Sequence, residues 1–451
     1  MRHTDVATAA CGYWHRRGLH TEPGQVVTAP GAPLLLLALL AGAAATPAGP
    51  APGALGERAV RREAVTGATA APGVTAAPGA SAAPGQAPAA GGPPEGGGPG
   101  GAPPGGQGPT GQGPGAVLLP RPSAAWHAPQ ARLLGRPVHP VPVPAECGGV
   151  PDPFALLEAV RRARADGGDP RVLLLSVADD PTGTTAPPEL LHEVCEAAVN
   201  EGLLIVSDES WRDTSHSTRD TVVVSPAEMV GDGHADSVVV LAGLNAALLP
   251  PGLSAGIARF PDSDYGRALG DHVREVLGAL HTGLHGPDAD AAAEALAEPA
   301  HVRERRAAEA ALHGAYAAAL HDEFTAAGAL CRPPQVGRHL YVDLEQSRTR
   351  LAAHGIEDAA ALEAELVRRL GPYATGGHRV GDDPLGLRVR ISTEVLAAGV
   401  PSADVRAADV RAADVRAADV RAPGARPMEL PGVPEALEAV HTALAELLAS
   451  D

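Results

Sequence analysis

Two aspartates set the chemistry this chain can attempt. Asp180 opens the tetrapeptide Asp180-Pro181-Thr182-Gly183 after the apolar run VLLLSVA, and Asp208 closes the run LLIVSD 28 residues later. An ionised aspartate accepts hydrogen bonds and donates none, so each can hold a donor or a cation and repels an anion. A strand-end aspartate is common in α/β proteins and Pro-Thr-Gly is an ordinary turn signal. The spacing therefore carries more weight than either residue alone. Farther along, Arg390 stands in the alternating segment GLRVRIS, where an arginine is often simply solvated. Gly252-Leu253-Ser254-Ala255-Gly256 matches the GxSxG nucleophile elbow, which requires a strand before it and a helix after it. This copy follows Leu-Leu-Pro-Pro and runs into the strand-like IARF, so Ser254 is set aside as a nucleophile. The eighteen histidines are scattered without an HExxH pattern, and Cys11, Cys147, Cys195 and Cys331 form no CxxC pair. Neither a metal site nor a disulfide framework is suggested. The chain also contains no lysine: all 35 residues of the Lys+Arg count are arginine. That excludes a Walker-type phosphate loop and every lysine amine, for which a permanently protonated guanidinium is no substitute.

Such residues need a scaffold, and the apolar pattern describes one. Strands are expected at 116–119, 138–143, 172–177, 203–207, 238–241 and 255–260, with helices between several of them, notably at 152–165 and 188–200. Strand–helix alternation with continuous, non-alternating apolar strands implies an α/β fold: a mostly parallel sheet sandwiched by helices. A long helical region with loops follows from Tyr265 to about Ala327, and strands at 339–344 and 387–392 with helices at 359–370 and 433–449 suggest a smaller C-terminal α+β domain. Near the start, a helix from Val6 to Arg17, a stop at Gly18, a strand at 25–28 and a Leu-rich helix after Gly31 look folded. The apolar run 34–45 is too short to span a bilayer and reads as a buried helix. Residues 44–115 are almost all Ala, Pro and Gly; with few large apolar side chains to bury, they read as a disordered insertion. The expected organisation is 1–43 as the N-terminal part of a large domain, 44–115 as insertion, 116–285 as the rest of the large domain, and 286–451 as the small domain. Within the last, 403–422 repeats ADVRA with a period of five that keeps no helix face, so it is read as a surface linker. The net charge of −18 argues against nucleic acid or an anionic membrane as partner, and a cytoplasmic location is expected.

Four segments in one order resemble the class I/II, fold-type-I aminotransferases, which depend on pyridoxal phosphate. The first is the Asp180 tetrapeptide, where the family has Asn-Pro-Thr-Gly and its Asn donates to the cofactor's ring oxygen. The second is LLIVSDESW, residues 203–211, where Asp208 matches the aspartate that pairs with the pyridinium nitrogen and Trp211 stands where a Tyr commonly donates to the ring oxygen, which implies its indole N–H as the donor instead. The third, 238–260, matches the strand–loop–strand that bears Ser-x-Ser-Lys and then Pro-Gly-Leu-Arg-x-Gly. Pro251, Gly252, Leu253 and Gly256 fit the second half, while the family's lysine falls on Ala246, or on Asn245 with a shift of one. Its phosphate-binding Arg becomes Ser254 and its first Ser becomes Gly243. The fourth is GLRVRIS, where Arg390 matches the arginine that forks onto the substrate α-carboxylate. More softly, Gly31 and Ala32 match the start of the phosphate-side helix. Pro122-Ser123-Ala124 falls where an aromatic residue stacks on the cofactor, with Trp126 nearby. The arm that the family places before residue 1 is expected to be absent.

The resemblance implies amino-group transfer between an amino acid and a 2-oxo acid, with pyridoxal phosphate as cofactor and a homodimer as the usual assembly. With Asn245 or Ala246 at the anchor position, the expectation is a protein impaired in that chemistry, holding the cofactor non-covalently if at all. The alternative is a non-catalytic binding or regulatory module on the same scaffold.

Overall fold

The computed structural model describes residues 5–45, 114–144, 147–217, 221–230, 236–398 and 426–448. The expected insertion 44–115 lies outside these residues apart from its margins, and the repeat 403–422 lies outside them entirely.

The larger sheet is built from β1 (Val26–Ala29), β2 (Ala116–Arg121), β3 (Val138–Pro142), β4 (Pro170–Ser176), β5 (Leu204–Asp208), β6 (Val238–Gly243) and β7 (Gly256–Arg259). Its order is β1-β7-β6-β5-β4-β2-β3, parallel from β6 through β5, β4 and β2 to β3, with β7 antiparallel to both of its neighbours. The mostly parallel sheet expected from the continuous apolar runs is therefore present. Pro140 and Pro142 sit on β3, an edge strand, where the missing N–H groups interrupt least.

Both faces of this sheet are covered, which is why its strands do not alternate in polarity. Val172, Leu174, Val206, Val239 and Leu241 pack on one side against α2 (Ala32–Ala45), α3 (His127–Leu133) and α7 (Asp264–Ala279). Leu173, Leu175, Ile205, Val238 and Val240 pack on the other against α4 (Pro153–Ala165) and α5 (Pro188–Asn200). On α5 the buried residues are Leu191, Val194, Cys195 and Ala198, one face of a 3.6-residue period. Each buried Leu of this kind contributes about 1.5–3 kcal/mol. The caps are also local: Asp152 accepts from the N–H groups of Phe154 and Ala155, and Ser263 accepts from that of Gly266.

A four-stranded antiparallel sheet, the smaller C-terminal one, contains β8 (Leu330–Cys331), β9 (His339–Asp343), β10 (Ala374–Gly376) and β11 (Arg388–Ser392) in the order β10-β11-β9-β8. It packs with α11 (Ala359–Leu370) and α13 (Val433–Leu448) around Leu340, Val342, Leu362, Leu366, Val389 and Leu444. The long helical region resolves into α7, α8 (Gly286–Ala297) and α9 (Ala300–Ala326). Leu296 and Val302 share a core with α1 (Val6–His15), whereas Tyr316, Leu320 and Phe324 join the C-terminal core, so α9 bridges the two. Short helices α6 (Pro226–Met229), α10 (Arg348–Ala353) and α12 (Glu394–Ala398) complete the described helices.

Two glycines let segments approach closely enough to build a site. Gly183 has φ +66, and a Cβ there would stand 2.3 Å from the carbonyl oxygen of His339. A Cβ on Gly256 would stand 2.6 Å from the backbone of Gly31 and Ala32. The Gly of Pro-Thr-Gly is thus where β9 meets the turn after β4, and Gly256 is where the start of α2 meets β7.

Candidate functional site

The C-terminal ends of β4, β5 and β6 bring the expected residues into two adjoining groups. Asp208 is the last residue of β5, buried, and paired in register with Ser176 and Leu241. Its Oδ1 accepts from the backbone N–H (3.0 Å) and hydroxyl (2.6 Å) of Ser210, and its Oδ2 accepts from Nε2 of His127 at 3.0 Å. The Ser210 hydroxyl also accepts from the N–H of Gly243 at 2.8 Å, tying the end of β5 to the end of β6. A Cβ on Gly243 would meet Asn245 Oδ1 and Ser210 Oγ at 3.2 Å and Ala32 Cβ at 3.4 Å. So Asp208, Ser210, Gly243, Asn245, Ala32 and Gly31 lie together. The two candidate anchor positions face different ways. Asn245 is exposed with its Oδ1 beside Gly243, whereas Ala246 is buried and lines a pocket with Asp213, Arg306, Glu309, His313 and Arg338.

The second group joins the two sheets. Asp180 in the turn after β4 faces Arg390 on β11 and His339 on β9. Arg390 Nη1 donates to Asp180 Oδ2 at 3.1 Å, and Arg390 Nη2 donates to His339 Nε2 at 2.9 Å. His339 Nδ1 stands 3.0 Å from Asp180 Oδ1, off the ideal hydrogen-bond line, and neither of these two atoms has another partner. Guanidinium nitrogens only donate, so Nε2 is the accepting nitrogen and the neutral ring carries its hydrogen on Nδ1, facing the carboxylate. Burial alone would raise the Asp180 carboxyl, but the contact with His339, then the charge of Arg390, hold it below the ordinary range. Burial lowers the His339 imidazole in spite of Asp180. Next door, burial pushes the Asp179 carboxyl up to about 7, against the Thr182 hydroxyl that donates to it at 2.6 Å. Trp211, expected to offer its N–H to a cofactor oxygen, packs edge-on against His339 with ring centroids 5.4 Å apart.

His127 was hidden among scattered histidines. It begins α3, a helix the apolar pattern did not single out, and the signal that could have found it is its position three residues after Ala124 in the loop that follows β2, the neighbour of β4. Also unexpected is a partly buried ionic cluster behind the loop that follows Asp208. Tyr13 donates to Asp213 at 2.7 Å, Arg17 bridges Asp213 and Glu298, and Arg16 and Arg306 also bind Glu298.

These residues fit a pyridoxal phosphate only in part. Asp208, expected on the pyridinium side, is a buried carboxylate fixed by His127 and Ser210. At the two positions expected to serve the phosphate, Gly243 carries no hydroxyl, the Ser254 hydroxyl donates to the carbonyl of Pro30 at 2.6 Å, and the Ser254 N–H is taken by the Asp288 carboxylate at 3.0 Å. At the expected anchor position stands an alanine or an asparagine, neither of which carries an amine. Among the described residues there is no group of three or more His, Cys, Asp and Glu side chains that could hold a metal. No described helix is long and apolar enough to cross a membrane.

Several aminotransferases are among the solved structures of similar fold. A probable N-succinyldiaminopimelate aminotransferase from Thermus thermophilus is 18% identical with a TM-score of 0.62, covering 98% of this chain and 83% of that one. The aspartate aminotransferase of the same organism, solved with maleate, is 15% identical with a TM-score of 0.60 over 97% of this chain and 81% of its own. An aromatic aminotransferase from Pyrococcus horikoshii gives 14%, 0.61, 98% and 85% in the same terms. At these identities the likeness establishes the fold. No curated protein sequence matches the chain. The family model for aminotransferase class I and II matches residues 111–401. With that match over more than half its length, the chain belongs to the class I and II aminotransferase family.

Proposed function

We propose that this chain keeps the aminotransferase scaffold and has lost the amino-transfer step. The observation that carries the reading is the absence of lysine from the whole sequence, with Ala246 and Asn245 at the anchor. In a pyridoxal-phosphate-dependent family the cofactor supplies the electron sink, and the lysine supplies both the covalent hold and the proton transfer at the substrate carbon. Loss of a general base alone costs on the order of 10²–10⁴ in rate, about 3–5 kcal/mol. A guanidinium such as that of Arg390 or Arg338 is no substitute for the amine, and His127 is committed to Asp208.

What this chain's own residues still do is position and bind. Asp208 stands at the C-terminal end of the central strand β5 with Ser210 and His127 fixing its orientation, and Gly31, Gly243 and Gly256 allow the start of α2 and the ends of β6 and β7 to pack closely beside it. The site residues of this reading are Asp180, Asp208, Trp211, Gly31 and Ala32 on the cofactor side and Arg390 on the substrate side. A homodimer in the cytoplasm that binds an amino acid, a 2-oxo acid or the cofactor without covalent attachment belongs to the same reading. The test is a turnover assay with amino acids and 2-oxoglutarate in the presence of pyridoxal phosphate, run beside a melting-temperature titration with the cofactor. Absence of turnover with a rise in melting temperature supports a binding scaffold. Appreciable turnover refutes the proposal.

A further inference from the structure

We propose that Asp180 is a built-in occupant of the Arg390 anion site, and that it closes the cleft to small carboxylates. Arg390 lies on β11 opposite Tyr341, diagonal to His339 on the same face of the small sheet. From there its side chain, 19% exposed, reaches across to a turn of the large sheet and meets a carboxylate supplied by the chain itself. The three groups form a closed ring: arginine to aspartate, arginine to histidine, histidine to aspartate. One positive and one negative charge sum to zero, with the imidazole neutral by the donor argument above. An arginine whose Nη1 and Nη2 are both engaged within a neutral ring offers little to an incoming carboxylate, which would also face the Asp180 charge at close range. Asparagine at the same place would keep the shape and an acceptor for Arg390 while leaving the guanidinium charge uncompensated. The residue at 180 thus sets which sign of ligand charge this cleft accepts.

The inference rests on the reading of this cleft as the ligand site, but it is tested without cofactor and so fails separately from the loss of amino transfer. Succinate and 2-oxoglutarate are titrated calorimetrically into the parent protein, Asp180→Asn and the double variant Asp180→Asn/Arg390→Met. Binding by Asp180→Asn that is roughly tenfold tighter than the parent's or more, and lost in the double variant, is the expected result. Asp180→Ser, which removes the charge and opens space, serves if the asparagine variant does not fold. Parent protein that already binds either acid through Arg390 as tightly as the variants overturns the proposal. So does a folded Asp180→Asn that gains no affinity, for then the ring is only a tether between the two sheets.

Discussion

The ionic cluster behind the site loop makes a quantitative demand on stability. Glu298 accepts from Arg17 at 3.0 Å, Arg16 at 2.8 Å and Arg306 at 2.7 Å, with its own side chain 9% exposed. Burial alone would raise this carboxyl, but Arg17, then Arg16 and Arg306, hold it at about 2 against an ordinary value of 4.5. That difference corresponds to about 3 kcal/mol. Arg16 and Arg306 are 42% and 26% exposed, so solvent screening reduces the usable part to about 1–2 kcal/mol. Because the folded value lies below the unfolded one, the contribution is complete above pH 4.5 and disappears as pH falls toward 2. Glu298→Gln is therefore expected to lower stability at pH 7 by about 1–2 kcal/mol, a few degrees in melting temperature, and to differ progressively less from the parent below pH 4.5. Urea denaturation of both proteins across pH 2.5–7 measures this directly. A parent–variant gap that stays constant over that range, or no gap at pH 7, would refute the electrostatic account of the cluster.

Other residues make shorter demands. His127→Phe removes the only side chain that contacts Oδ2 of Asp208 among the described hydrogen bonds and leaves a buried carboxylate oxygen unpaired, so a loss of about 1–3 kcal/mol is expected in denaturant unfolding; a neutral outcome would mean the carboxylate finds water there. Supplying an amine with Ala246→Lys is expected to give a borohydride-trappable adduct with pyridoxal phosphate. Adduct from Asn245→Lys instead would move the anchor by one residue, and adduct from neither would contradict its placement on this turn.

The sequence was most legible where local signals were strong. Helices 188–200 and 359–370 end where expected because Pro188 starts one at its first turn and Asp358 caps the other, which stops at Gly371 with φ +81. The sheet was legible because residues on β4, β5 and β6 are apolar on both faces. β8 and β10 were not, since two or three residues establish no period, and α3 was not, with Pro129 inside it and no side-chain cap. The site was half legible. Asp208 and the Gly243–Gly256 segment fell together as the order of motifs implied, but the Asp180–His339–Arg390 ring joins residues up to 210 apart in the chain. His339 carries no local mark of that role, and the substitution of Asp for Asn at 180 predicted repulsion of a cofactor oxygen without revealing the arginine that meets it. Trp211 was read as a donor to ligand, and only the packing of β9 turns it toward His339.

The central claim, a cofactor fold without the amine that anchors the cofactor, is tested by borohydride reduction of the parent protein in the presence of pyridoxal phosphate, followed by peptide mass analysis. With no lysine in the sequence, the α-amino group at the N-terminus is the one primary amine the chain offers, so the expected result is no added mass on any peptide beyond the N-terminal one. Cofactor mass on a peptide containing residues 243–256 would contradict it.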